Sequence, residues 1–482
     1  MSKEKDGKAE EEEGRNWSEL PPELLNLIGR RIIKVKDAIR FRVVCKTWWE
    51  TLAEQQPLQF HQSSALLMLP YCSHNEEGNG AGDSSCCRLF MDVARSQYHH
   101  LGFEQALKQA NCRGSAFGWL FMLQRIPVLF NPLTGDQISL PPITTFPEFL
   151  GYFPETVGAE YLTVDHDYGG LLFALGKKYV ESMYIDRIAM SAEPNAEGCV
   201  LMAICWVLSK RRLAFCKPGG DKWTLLPYLS VGGRPVYYSN IVFWRNEFYA
   251  VDNDNRILIC DLAVPSVSFL AGKVRQLPVD FDTIYLVVGP ADELMLVGRS
   301  LAEREEDAVG ALNEQHDAGR EEDAVGALNE QHDAGREEDA PAHIEDDRHE
   351  VDDQNVEYIW DSDTDDECEC GPSYETIKFT VYKLNEETNQ WGEIKSIGNY
   401  ALFLGTNTSA CLSTQDHSGY KPDCIYFTDD SFEKHVKHRR GGHDMGIYHL
   451  RDGTIESLCC INLYENPSLV WPPPVWVSPA IY

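Results

Sequence analysis

Residues 240–262 read Asn240-Ile-Val-Phe-Trp-Arg-Asn-Glu-Phe-Tyr-Ala-Val-Asp252-Asn-Asp-Asn255-Arg-Ile-Leu-Ile-Cys-Asp-Leu262. Two runs rich in β-branched and aromatic residues, 240–251 and 256–262, flank the turn cluster Asp252-Asn-Asp-Asn255. The same alternation extends both ways along the chain. Apolar runs at 64–69, 119–123, 128–130, 171–175, 200–208 and 212–216 precede it, and 283–288 follows. Turn signals such as Asn131-Pro-Leu-Thr-Gly135 and Lys217-Pro-Gly-Gly220 stand between them. The pattern resumes at 376–384, 391–394, 401–404, 424–427, 446–450 and 455–458. Many short strands at near-regular spacing predict a β-sandwich, barrel or propeller. A single helix, over 97–111, is expected among them. The terminal Trp471-Pro-Pro-Pro-Val-Trp476 is barred from a central strand by its prolines.

The 482 residues are 43% hydrophobic and 11% aromatic, enough to bury a core along most of the chain. The net charge is −32, unevenly spread: 27 acidic residues and 4 arginines between 303 and 370 give that stretch −23. Within it Arg304-Glu-Glu-Asp-Ala-Val-Gly-Ala-Leu-Asn-Glu-Gln-His-Asp-Ala-Gly319 recurs unchanged at 320–335, and a third copy begins at Arg336. So few apolar residues per copy cannot build a core, so 303–370 is expected to be a disordered acidic insertion. The chain therefore divides into a charged, disordered tail (1–16), a compact helical module (17–56), a first β segment (60–300), the insertion (303–370) and a last β segment (375–482). Because strand patterning continues across the insertion, the two β segments belong to one architecture.

In the helical module, Trp17-Ser-Glu-Leu-Pro-Pro-Glu places prolines where a first helical turn tolerates them. Leu24, Leu27, Ile28 and Ile32 follow with helical spacing. Asp37 suits the N-cap of a second helix with Ala38, Phe41 and Val44 inward, and Trp48, Trp49 and Leu52 mark a third helical stretch. Forty residues are marginal for an independent fold, so an apolar module of this size is expected to have a partner surface.

The sequence pI near 4.8 argues against nucleic acid or an anionic membrane as partner. No apolar run approaches a membrane span, and residues 1–16 lack the apolar stretch of a signal peptide. Together with scattered cysteines, these features predict an intracellular protein, cytoplasmic and/or nuclear, with reduced, mostly buried thiols. Chemical motifs are sparse. Gly78-Asn-Gly-Ala-Gly82 has neither the strand before it nor the helix after it that a phosphate cradle needs. Asp361-Ser-Asp-Thr-Asp365 starts like a calcium loop, but Asp366 and Pro372 stand where Gly and Glu are required. The cysteine pairs 86/87, 368/370 and 459/460 are too close for a zinc framework. Neither a catalytic constellation nor a metal or cofactor site is expected. Lys434, Lys437, Arg439 and Arg440 form the main basic cluster of an acidic chain and are the candidate substrate patch.

The N-terminal module resembles an F-box. The resemblance is carried by Trp17-Ser-Glu-Leu-Pro-Pro-Glu-Leu-Leu25, Ile28, Ile32, Asp37-Ala-Ile-Arg-Phe-Arg-Val-Val-Cys-Lys46 and Trp48, in that order. It implies docking to a Skp-type adaptor and, through it, to a cullin ubiquitin ligase. Leu20, Pro21, Leu24, Ile28, Ile32, Val43, Cys45 and Trp48 would be the adaptor-facing or supporting positions.

The remainder resembles the plant F-box-associated region called domain of unknown function 295. The matching stretches are Val128-Leu-Phe-Asn-Pro-Leu-Thr-Gly-Asp136, Leu140-Pro-Pro142, 241–252, Phe379-Thr-Val-Tyr-Lys-Leu384, Cys424-Ile-Tyr-Phe-Thr-Asp-Asp430, Asp444-Met-Gly-Ile-Tyr448 and Trp471-Pro-Pro473. The resemblance implies a kelch-like β-propeller that recognises a protein substrate. At roughly 40–50 residues per blade, six to eight blades are expected, seven being preferred. The combined expectation is a small all-α F-box followed by an all-β propeller. Its function would be the non-catalytic substrate-recognition subunit of an SCF-type ubiquitin ligase; the alternative is a propeller scaffold or regulator that binds the adaptor without substrate turnover.

Overall fold

The computed structural model describes residues 20–29, 44, 48, 65–69, 87–103, 107, 110–165, 169–207, 210–270, 281–303, 356–359, 374–417, 419–430, 444–458 and 474–477. Strands dominate. Among the described residues they form seven sheets of four or five strands and one two-stranded ribbon, Ser230–Val231 with Arg234–Pro235.

Sheet I joins Leu66–Met68, Cys87–Asp92 and Gln97–Gly102 to Val475–Val477. Sheet II holds Asn111–Ala116, Trp119–Leu123, Val128–Phe130 and Gln137–Ser139. Sheet III holds Phe149–Tyr152, Tyr161–Asp165, Leu171–Leu175 and Val356–Ile359. Sheet IV starts at Ile185–Met190 and continues through Leu201–Val207 and Lys210–Cys216. Sheet V starts at Tyr238–Trp244 and continues through Glu247–Asp252 and Ile257–Asp261. Sheet VI is Thr283–Val288, Leu294–Glu303, Tyr374–Asn385 and Gln390–Ile394. Sheet VII is built around Tyr400–Leu404, Ala410–Ser413, Cys424–Phe427 and Gly446–His449.

Apolar clusters join these sheets in a cycle. Phe90, Phe103 and Phe130 lie between sheets I and II, and Met202, Ile241 and Leu258 between IV and V. Trp244, Leu286 and Leu296 lie between V and VI, Val287, Leu402 and Ile425 between VI and VII, and Leu67, Phe403, Tyr426 and Trp476 between VII and I. The remaining cluster, with Phe121, Phe146, Tyr184, Ile188 and Trp223, joins II to IV and takes in Phe149 and Tyr161 of sheet III. Strand Asn111–Ala116 packs directly on Ile185–Met190. Sheet III therefore lies beside that junction, outside the succession of inner strands.

The stretch 240–251 is two strands, not one. Trp244 pairs with Glu247 across a two-residue turn in which Arg245 and Asn246 have φ of 48° and 64°. Such a turn twists with the strands it joins, which is why it is favoured in hairpins. The helix expected over 97–111 is corrected: Gln97–Gly102 is a strand paired with Cys87–Asp92, and Asn111 opens sheet II. Ladder hydrogen bonds to an adjacent strand override the local preference. A helix that the periodicity did not reveal occupies Lys177–Met183, where the Glu160 carboxylate accepts the Lys177 N–H at 2.7 Å. The insertion is not wholly unstructured either, since Val356–Ile359 pairs in parallel with Leu171–Leu175. The prolines of 471–476 precede a three-residue strand with a neighbour on one side only, Leu66–Met68, so the end of the chain closes the first sheet. Cys112, Cys199, Cys205, Cys216, Cys260, Cys411 and Cys424 are free thiols, and all but Cys411 are buried.

Candidate functional site

Three inner strands carry an irregularity near their starts, and each puts a polar side chain on a common cavity. Register shifts fall between Cys112 and Ser115, between Ile185 and Arg187, and between Tyr238 and Ser239's other neighbour Asn240. The residues within these shifts include Arg113, Asp186 and Ser239, all of which line the cavity. Bulges re-aim side chains that a regular pleat would send elsewhere. The cavity holds about 350 Å³ and is also lined by Arg187, Trp206, Arg211, Asp282 and Asp430.

Its charged groups form a connected set. Arg113 donates to the Asp186 carboxylate at 2.7 Å and to the Ile185 carbonyl at 3.1 Å. Arg211 reaches the other Asp186 oxygen at 3.5 Å and lies over the Trp206 ring, 4.6 Å from its centroid. Trp206 and Arg211 are cross-strand partners in one hairpin, so the sheet itself sets that stack. Arg187 donates to Asp430 at 2.6 Å and to the Gly405 carbonyl at 2.7 Å. Burial raises the Asp186 pKa, but Arg211, Arg113 and Arg187 outweigh it and hold the carboxyl below its ordinary value. Burial lowers Arg113 to about 10 despite Asp186, with Arg187 and Arg211 adding to the fall, and it remains cationic at neutral pH.

Behind this layer lies Arg299, 1% exposed. It donates to Asp430 at 3.2 Å, to Asp444 at 2.8 Å, to Thr376 at 2.8 Å and to the Tyr285 hydroxyl at 3.1 Å. Tyr285 in turn donates to Asp430 at 2.9 Å. Burial opposes the Arg299 charge, but Tyr285, Asp444, Asp430 and Asp429 raise its pKa above the ordinary value. Phe281, another lining residue, lies across Gly298 so closely that an added Cβ would clash with its ring.

The expected substrate patch, Lys434, Lys437, Arg439 and Arg440, lies outside the described residues. Asp430 and Asp444, the described residues on either side of it, are both bound to Arg299. None of the cavity arginines was singled out in the sequence. The available signal was charge inside apolar strands: Ile185-Asp-Arg-Ile-Ala-Met190, and Arg299 amid Leu294–Glu303.

The other expected site is on the helix Pro22–Gly29. Backbone N–H groups of Leu24 and Leu25 donate to the Pro21 carbonyl at 3.0 and 3.1 Å and start the helix. Leu25 is buried, whereas Leu24 and Ile28, one turn apart, are 48% and 40% exposed. Pro21 is exposed, Leu20 half-buried and Trp48 buried. The structure thus places Leu24 and Ile28 on one open apolar stripe. Ile32, Val43 and Cys45 lie outside the described residues.

Closed linkage of mainly antiparallel sheets around a charged cavity defines a β-propeller-type protein. The family model for the KIB1-4 beta-propeller matches residues 90–449, and the chain belongs to that family. It is similar to the F-box protein SKIP23 of Arabidopsis thaliana, with 23% identity over 96% of each chain. It is also similar to the putative F-box protein At5g55150 of the same plant, 22% identical over 86% of this chain and 85% of the relative. The Arabidopsis F-box/kelch-repeat protein At1g57790 is 24% identical over 51% of this chain and 56% of its own length.

Proposed function

We propose that this chain is the substrate-recognition subunit of an SCF-type ubiquitin ligase, without catalytic residues of its own. Residues 17–56 act as an F-box that docks on a Skp-type adaptor and so on a cullin ligase. The propeller captures the target protein. The observation that carries this reading is the similarity to an F-box protein over 96% of both chains. The open stripe of Leu24 and Ile28 supports it, because a large apolar pair left on a short helix suits one half of a shared core. Leu20, Pro21, Ile32, Val43, Cys45 and Trp48 complete the proposed adaptor face. This role sets the protein inside the cell, in the cytoplasm and/or nucleus.

Capture is assigned to loops of the propeller, since loops on a rigid scaffold commonly carry recognition. Lys434, Lys437, Arg439 and Arg440 remain the proposed cationic part of that surface. For the scaffold we propose six blades, sheets I, II, IV, V, VI and VII, with sheet III appended. Direct packing of Asn111–Ala116 on Ile185–Met190 supports six, the low end of the expected range, over the preferred seven.

The test is functional. Cells expressing the Leu20→Ala/Pro21→Ala chain should accumulate specific proteins that also co-purify with the propeller and turn over in the presence of wild type. If no captured protein changes its half-life, the chain binds without directing degradation.

A further inference from the structure

Two guanidinium groups of the central cavity, Arg187 and Arg211, have donors that no acceptor among the described residues takes up. Asp186 is engaged by Arg113 and Arg211, Asp430 by Arg187, Arg299 and Tyr285, and Asp282 by the Leu301 N–H at 2.8 Å. Asp186 and Asp430 are therefore already supplied with cationic donors, and the exposed Asp282 has a backbone donor. The arginines are not equally supplied with acceptors: the Nε atoms of Arg187 and Arg211 are buried and meet none among the described residues. Arg187 is 7% exposed, so water has little access to satisfy it. A buried donor without a partner costs free energy that a fitting acceptor recovers.

Geometry favours an entering ligand over further protein contacts. Arg211 keeps 28% of its side chain exposed and lies over the Trp206 ring, a contact that restricts its direction before anything binds. Its one ion pair among the described residues, at 3.5 Å, is a long one. Ser239 and Asn253, hydrogen-bonded to each other, add a hydroxyl and an amide to the lining. A volume of about 350 Å³ is at the small end for ligand pockets, enough for one side chain and its flanks.

We propose that this cavity is an oxyanion-binding site, and that it takes a carboxylate or phosphomonoester side chain of the captured polypeptide. Planar guanidinium groups match both anions with paired hydrogen bonds, whereas a lysine or arginine side chain would meet aspartates that already have partners. The like-charge crowding of Arg113 by Arg187 and Arg211 would be relieved by the incoming charge. This assignment rests on the reading of the propeller as the capture surface, and it places part of recognition at the centre of the ring.

The test uses the full chain in complex with its adaptor and three oriented peptide libraries. These have a fixed central phosphoserine, glutamate or serine between randomised flanks. Retention of the phosphoserine or glutamate pool at least tenfold above the serine pool is expected, falling as salt is raised. Inorganic phosphate should compete if the phosphomonoester is the preferred form, and the ratio of the two acidic pools identifies it. Arg211→Gln should remove at least tenfold of the retention with the melting temperature unchanged, because Arg113 still pairs with Asp186. Equal retention of all three pools, no retention of any, or retention indifferent to Arg211→Gln would overturn the assignment. Adaptor binding, measured on the same samples, reports separately on the ligase reading.

Discussion

Arg299 shows how one side chain ties several sheets to the cavity. It is fixed on Leu294–Glu303 and bonds to Asp430 and Asp444, which follow and precede strands of sheet VII. Removing one partner from a buried ionic network leaves the other charges without compensation. Arg299→Leu should therefore cost about 3–5 kcal/mol, read as a loss of unfolding free energy in urea. Asp186 gives a pH-dependent counterpart. Its pKa lies below the ordinary value of 3.8, so its stabilisation is fully present above that value and lost as pH falls through the lower folded-state pKa. Asp186→Asn should consequently be less stable than wild type at pH 6, with the gap narrowing only below about pH 4. A gap that stays constant down to pH 3 would show that the carboxylate charge is not what the arginines hold.

Among the elements, the three-residue strand Val475–Val477 is buried throughout. Trp476 is wholly buried, meets Phe403 at 5.2 Å between ring centroids, and its carbonyl accepts a hydrogen bond from Ser115 in the neighbouring sheet. Trp476→Ala should destabilise by about 3–5 kcal/mol, while Val264→Ala on an exposed turn stays within about 0.5 kcal/mol; thermal melts of the two variants provide the comparison. Strand existence was legible in the sequence because β-branched and aromatic runs alternate with turn residues. The 240–262 stretch shows the limit. Its apolar runs marked the sheet, but nothing in Arg245-Asn246 resembles the usual glycine-bearing hairpin turn, so two strands read as one. Gln97–Gly102 is the second strand of a hairpin with Cys87–Asp92, closed by the turn at 93–96, a pairing that its mixed polar and aromatic residues do not announce. The cavity was still less visible. Arg113, Asp186, Arg211 and Arg299 lie far apart in sequence, and three local register shifts together with the order of the sheets bring them together.

The whole molecule carries a cyclic array of sheets, the short helix Pro22–Gly29 before it in the chain, and a long acidic stretch between strands of sheet VI. The insertion leaves after Glu303 and the chain returns at Tyr374, which are paired neighbours in sheet VI. Its ends are thus held together by the ladder whatever its length. Removing residues 304–350 should change stability by no more than about 1 kcal/mol, since each doubling of loop length alters closure entropy by about 0.6 kcal/mol. Deletion extended through 359 removes the edge strand of sheet III as well and should lower the melting temperature further. Equal effects of the two deletions would mean that Val356–Ile359 adds nothing to sheet III. The central claim concerns the other end of the chain, where Leu24 and Ile28 stand open beside Pro21. A Skp-type adaptor co-expressed with the full chain should co-elute with it in one-to-one stoichiometry. Leu20→Ala/Pro21→Ala should abolish that co-elution while leaving the melting transition of the propeller in place, because a small interface depends on a few buried anchors. Failure of the wild-type chain to hold the adaptor, or undiminished binding by the double variant, would contradict the account.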